Sequence, residues 1–127
     1  MSTDHFSKIL FNWGSILDNI QFEYGGVLGP RRGSTGGNPA SCDINSGDYI
    51  VKARILVIEG YGPMTRGLHF TTKNGLNCTM GIQEAIPGNS VFETSAPDGY
   101  HLAYLSGRYG QRYSNPVFLR FHWKKCD

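Results

Sequence analysis

Three segments of the chain share one layout, and this repetition limits the available folds more than any other feature. Each segment is an apolar strand, a glycine turn and an alternating strand. The first is Ile9-Leu10-Phe11-Asn12-Trp13-Gly14 followed by Leu17 to Tyr24. The second is Ile55-Leu56-Val57-Ile58 with Gly60 and Gly62, followed by Gly67 to Thr72. The third is Leu102-Ala103-Tyr104-Leu105 with Gly107 and Gly110, followed by Val117 to Trp123. Gly14, Gly62 and Gly110 fall at equal steps of 48 residues. The third copy carries about one extra residue before its second strand, because its alternation changes phase there, as a bulge would cause. A further pair recurs, Gly37-Asn38 after the first copy and Gly88-Asn89 after the second. Three units that bury their apolar faces only against one another imply pseudo-threefold symmetry: a prism, a trefoil or a small propeller.

Within the copies the patterning has period two, the signature of strands. Ile20, Phe22 and Tyr24 alternate with Asn19, Gln21 and Glu23; Leu68, Phe70 and Thr72 repeat the pattern. Ala53, Ile55 and Val57 alternate with Arg54, Leu56 and Ile58, which reads as a strand buried more on both sides. Gly25-Gly26, Gly29-Pro30, Ser46-Gly47-Asp48 and Pro97-Asp98-Gly99 supply turn chemistry between strands. Asn74-Gly75 is the clearest hairpin signal and predicts a primed two-residue turn. No window of a dozen residues carries a helical stripe. The expectation is an all-β fold in a single domain spanning residues 1–127.

Composition narrows the function classes. Seventeen glycines in 127 residues fit many tight turns. A net charge of +2 is too small to make nucleic acid the default partner. No apolar run approaches ~18 residues, so membrane insertion is not expected. Cys42, Cys78 and Cys126 are an odd set without a CxxC pair, so neither a disulfide framework nor a zinc site is expected. The N-terminus lacks the apolar core of a secretory leader, which points to a cytoplasmic protein or export by an unusual route; a secreted chain is the alternative. In that case Asn77-Cys78-Thr79 is a glycosylation sequon.

At three places the sequence resembles the jacalin-related lectins. Gly14-Ser15-Ile16-Leu17-Asp18-Asn19-Ile20 matches their G-x-x-x-D sugar-binding loop and the strand after it. Gly33-Ser34-Thr35-Gly36-Gly37-Asn38-Pro39 is similar to their second, glycine-rich loop. Leu105-Ser106-Gly107-Arg108-Tyr109-Gly110 with Phe121-His122-Trp123 is similar to their C-terminal hairpin. The likeness runs from about Lys8 to Trp123. It implies a β-prism of three four-stranded Greek-key sheets and a carbohydrate-binding function with glycans or glycoproteins as partners.

The residue types suit that chemistry. An ionised Asp offers two acceptor oxygens to adjacent sugar hydroxyls. Glycines let the backbone turn tightly and approach a ligand closely. By the resemblance, Asp18 is the acceptor, Ser15 and Ile16 donate backbone N–H groups after Gly14, and Gly37 donates from the opposite loop beside Gly36 and Asn38. No cofactor or metal is implied, and no acidic residues are spaced as a calcium cage.

A step of 48 residues puts Arg66 and Ser114 in the place of Asp18 in the other two copies. Neither replaces a carboxylate, so one site is expected, with Asn115 leaving at most a degraded third site. Galactose-preferring members of the family create a new amine by cleavage at the third copy's site, which is not intact here. The resemblance therefore implies mannose- or glucose-type glycans, high-mannose oligosaccharides above all. A monosaccharide held at roughly millimolar Kd, about −4 kcal/mol, needs a branched ligand or a homo-oligomer for useful avidity. The alternative is a β-prism interaction scaffold that has lost its sugar.

Several residues have two readings. Trp13 stacks on a sugar face or sits in the core. Arg31-Arg32 attracts an acidic glycan or is a solvated loop charge. Tyr100, Tyr104, Tyr109 and Tyr113 form core, partner surface or a sugar platform. His5, His69, His101 and His122 lack ligand spacing and read as structural or surface groups. An enzyme is not expected: no nucleophile elbow is present, and Glu23, the acid nearest Asp18 in sequence, lies at odd spacing on the other strand face.

Overall fold

A computed structural model describes residues 6–58, 64–81, 83–84, 87–109 and 116–126. Ten strands carry the described chain: β1 (Phe6–Trp13), β2 (Leu17–Tyr24), β3 (Val27–Gly33), β4 (Asn38–Asp43), β5 (Ile50–Ile58), β6 (Met64–Thr72), β7 (Asn77–Gly81), β8 (Asn89–Ser95), β9 (Tyr100–Tyr109) and β10 (Pro116–Lys125). They form antiparallel sheets in the orders β3-β2-β1-β4, β7-β6-β5-β8 and β10-β9. The first two sheets have one topology, so the sequence repeat is a repeat of structure. The third has two strands among the described residues, where four are expected from the family. β2, β6 and β10 each contact the other two, which closes the three sheets around one axis.

The core follows from the alternation. Ile9, Phe11 and Trp13 on β1 point inward, as do Ala53, Ile55 and Val57 on β5, and Leu68 and Phe70 on β6. Leu105, Phe121 and Trp123 of the third sheet pack against this cluster. Leu56 is 1% exposed, so β5 is buried on its second face at that residue, while Lys52 on the same face is exposed. Removing a fully buried ring such as Phe11 costs about 3–5 kcal/mol.

Register refines the repeat. Leu17, Asn19 and Tyr24 correspond to Thr65, Gly67 and Thr72, the expected step of 48. The preceding strands correspond at a step of 44, Trp13 to Val57. The β5–β6 connection is longer than the β1–β2 connection, so equal glycine spacing does not mean that every residue between is equivalent. Gly62, Gly110, Tyr113, Ser114 and Asn115 lie outside the described residues, as does His5. The extra residue expected before the third copy's second strand falls where residues 110–115 lie outside the described residues; within β10 itself Leu119 is unpaired, where the ladder passes from Phe118–Gly107 to Arg120–Ser106.

Two local expectations are corrected. Cys42 on β4 and Cys78 on β7 form a disulfide, with Cα atoms 6.0 Å apart. It staples the outer strands of two different sheets. Sequence spacing conceals the pair because topology brings together residues separated by 36 positions. Cys126 is free. The hairpin at Asn74-Gly75 forms, but with three loop residues: Gly75 N donates to Thr72 O at 3.0 Å and Thr72 N to Leu76 O at 2.9 Å. Gly75 takes φ 91°, the left-handed residue that such a loop needs. The buried Asp48 carboxylate holds this hairpin, its Oδ1 accepting from Asn74 N at 3.1 Å and Tyr49 N at 2.9 Å.

Candidate functional site

The end of the first sheet is built around a bulge. Trp13 pairs with Leu17 and Asn12 with Asn19, leaving Asp18 unpaired between them. A bulge bends the strand and re-aims its extra side chain. Leu17 and Asn19 are both buried, at 0% and 4% exposure, although simple alternation puts Asn19 on the outer face. Asp18 is half-buried. Gly14-Ser15-Ile16 closes the β1–β2 hairpin, with Gly14 N donating to Ile16 O at 3.1 Å.

Two glycines flank the Asp18 carboxylate. A Cβ on Gly14 would lie 3.4 Å from Asp18 Oδ2. A Cβ on Gly37 would collide with the same oxygen and stand 2.9 Å from the Trp13 backbone N and C atoms. Gly37 also takes φ 78°. Its lack of a side chain therefore answers both to conformation and to space. Among the described residues the carboxylate has no hydrogen-bond or ion-pair partner.

The glycine-rich loop is tied to the same residue by its base. The Asp18 carbonyl accepts from Ser34 N at 2.9 Å and from Ser34 Oγ at 3.2 Å. Asn19 Nδ2 donates to Ser34 O at 2.9 Å. Ser34 and Asn19 thus position the loop. Sequence reasoning assigned them no role, since a serine in a glycine-rich loop and an asparagine beside the acid carry no distinctive signal.

Gly14, Asp18 and Gly37 come together directly. Ser15 is exposed and Ile16 half-buried in the same hairpin loop. Gly36, at φ 112°, precedes Gly37, and the exposed Asn38 begins β4 opposite Trp13. All seven residues lie at one end of one sheet. Trp13 is 8% exposed and its Cζ3 packs against Gly81, which settles its two readings in favour of the core. Arg31 and Arg32 are exposed on β3. Glu23 accepts a hydrogen bond from Ser7 at the far end of the sheet, so this carboxylate does not face Asp18.

The second copy keeps the bulge and loses the chemistry. Arg66 stands unpaired between Thr65 and Gly67, where Asp18 stands in the first copy. Trp13 pairs with Asn38 and its counterpart Val57 with Ser90, so Gly37 corresponds to Asn89. The Gly88-Asn89 pair is therefore displaced by one residue from Gly37-Asn38. Arg66 Nε and Asn89 Nδ2 are buried with no hydrogen-bond partner among the described residues. A cation stands in the place of the carboxylate, and a side chain stands in the place of the bare glycine. In the third sheet the unpaired residue of β10 is Leu119, which is apolar, and Ser114 lies outside the described residues.

Elsewhere His69 Nε2 lies 3.0 Å from Asn77 Oδ1, His101 is buried, and His122 Nε2 lies 2.6 Å from Ser106 Oγ. Half-exposed Tyr104 stacks on the His122 ring at 3.9 Å. No group of three or more His, Cys, Asp or Glu side chains among the described residues is arranged to hold a metal ion.

Comparison with known proteins agrees with this architecture. The jacalin-like lectin domain profile matches residues 1–115. A prostate-specific WGA16 glycoprotein lectin superposes with a TM-score of 0.79 at 17% identity, over 100% of this chain and 89% of that one. AcmJRL, a mannose-binding jacalin-related lectin from Ananas comosus, gives 0.69 at 17% identity, over 90% and 80%. Jacalin in complex with melibiose gives 0.70 at 15% identity, over 94% and 91%. No curated protein sequence matches.

Proposed function

The chain belongs to the jacalin-like lectin domain family, carbohydrate-binding proteins rather than enzymes, and we propose that it binds mannose- or glucose-type glycans through one metal-independent site at Asp18. The observation that carries the reading is the Asp18 carboxylate set between Gly14 and Gly37, with no partner among the described residues. Two vicinal hydroxyls donate to its two oxygens. Backbone N–H groups of Ser15 and Ile16 bind ring and exocyclic oxygens from one side, and that of Gly37 from the other. Charge-assisted hydrogen bonds are roughly twice as strong as neutral ones, so the carboxylate is the anchor and the loop donors fix orientation.

Preference for mannose over galactose rests on the third copy, where galactose-preferring members of the family create their new amine and this sequence has Ser114 in place of the acid. The second copy presents Arg66 and Asn89 instead of an acid and a bare glycine. Structural relatives include both a mannose binder and jacalin with a galactose-containing disaccharide, so fold alone does not choose. An open site of this kind holds one sugar at roughly millimolar Kd, about −4 kcal/mol. Branched high-mannose ligands, or several copies in one assembly, raise this by avidity.

Backbone NMR titration tests the proposal. Methyl α-mannoside is expected to shift the amides of Ser15, Ile16, Asp18 and Gly37, with galactose weaker. Stronger shifts with galactose, or shifts confined to another sheet, contradict it.

A further inference from the structure

We propose that Asn77 carries an N-linked glycan in the mature, disulfide-bonded protein. Asn77-Cys78-Thr79 is the single N-x-Ser/Thr sequon in the sequence. It lies on β7, an outer strand of the second sheet, where exposed and buried residues alternate. Asn77 and Thr79 share the exposed face, and Cys78 points inward. Asn77 Oδ1 accepts from Thr71 Oγ1 at 3.1 Å and faces His69 Nε2 at 3.0 Å. These contacts hold the amide by its oxygen. Its Nδ2 makes one long contact, 3.5 Å to Gly75 O, and is turned to solvent at the strand's end.

An independent observation concerns the compartment. The middle residue of the sequon is one half of the Cys42–Cys78 disulfide, which joins two sheets. Structural disulfides form and persist in oxidising compartments such as the secretory lumen, where N-glycan transfer also takes place. The bond and the sequon therefore call for the same environment, against the expectation of a cytoplasmic chain.

In the transfer, Asn77 Nδ2 forms a bond to the anomeric carbon of a lipid-linked oligosaccharide. The bond from that carbon to the lipid diphosphate oxygen breaks. The amide loses one proton and the lipid diphosphate leaves with the electron pair. The product amide keeps one N–H and its carbonyl, so the contacts to Thr71 and His69 survive. A glycan there covers the end of an outer strand whose free backbone groups would otherwise invite pairing with another chain. It also stands clear of the sugar site. Gly81, at the other end of β7, is the residue that touches Trp13, and four residues of strand span about 13 Å.

The test is peptide mass spectrometry at Asn77 on the protein from its natural source, with and without peptide N-glycosidase. The expected result is a glycan on Asn77 and conversion to Asp on release. In parallel the chain is passed through a mammalian secretory pathway behind an added leader, as wild type and as Thr79→Ala. The wild type is expected to be glycosylated and Thr79→Ala bare, both with the disulfide formed. An unmodified Asn77 in protein whose Cys42 and Cys78 are joined overturns the proposal, and so does native protein in which both cysteines are free.

Discussion

Gly37 abuts the carboxylate of Asp18 so closely that no side chain fits between them. The contact joins two loops that are 19 residues apart in sequence, and it brings acceptor oxygens and bare backbone together at one end of the first sheet. Gly37→Ala is therefore expected to harm binding and folding together. The new methyl group enters the space of Asp18 Oδ2 and imposes a strained φ, a penalty of about 1–3 kcal/mol. Gly36→Ala meets nothing within 4 Å and carries the conformational cost alone. Thermal denaturation and mannoside titration of both variants check this: binding is lost in Gly37→Ala and retained in Gly36→Ala.

Ser34 is expected to act on binding indirectly. Ser34→Ala removes the Oγ bond to the Asp18 carbonyl while leaving the backbone bond in place. A net loss of about 0.5–1.5 kcal/mol follows. Calorimetry of binding should show weaker affinity with unchanged stoichiometry. Unchanged affinity removes Ser34 from the positioning of the loop.

The second copy is expected to stay silent even when its acid is restored. Arg66→Asp supplies a carboxylate at the bulge but leaves the Asn89 side chain in the place of Gly37. Stoichiometry in a mannoside titration should remain one per chain in Arg66→Asp. Appearance of a second site in that single variant contradicts the register argument.

The disulfide is expected to matter for stability and not for recognition. Closing a loop of this length lowers the entropy of the unfolded chain by an amount equivalent to about 3–4 kcal/mol. Cys42→Ala with Cys78→Ala should lower the melting temperature by about 10 °C or more. Binding at 25 °C should be unchanged, since neither cysteine touches Asp18 or its glycines.

The parts that could be read in the sequence share one physical basis. Side-chain alternation is set by strand geometry, so Ile9, Phe11, Leu68 and Phe70 declare their burial directly. Asp18, Gly14 and Gly37 could be found because two glycine turns and an acid recur in a family pattern. What stayed hidden depends on pairing between distant strands. The Cys42–Cys78 bond joins edges of separate sheets. The displacement of Asn89 onto Gly37 emerges from strand register, in the pairing of Trp13 with Asn38 and of Val57 with Ser90. Burial of Asn19 on the outer face goes with its bond to Ser34 of the glycine-rich loop, a contact between distant segments that alternation does not show.

The most direct test compares wild type with Asp18→Asn in a titration with methyl α-mannoside, followed by NMR and by melting temperature. Asn keeps the shape and one acceptor oxygen but removes the charge. The account predicts roughly millimolar binding in the wild type, none measurable in Asp18→Asn, and the same fold and stability within about 0.5 kcal/mol. Equal affinity in the two proteins would place recognition away from Asp18 and contradict the account.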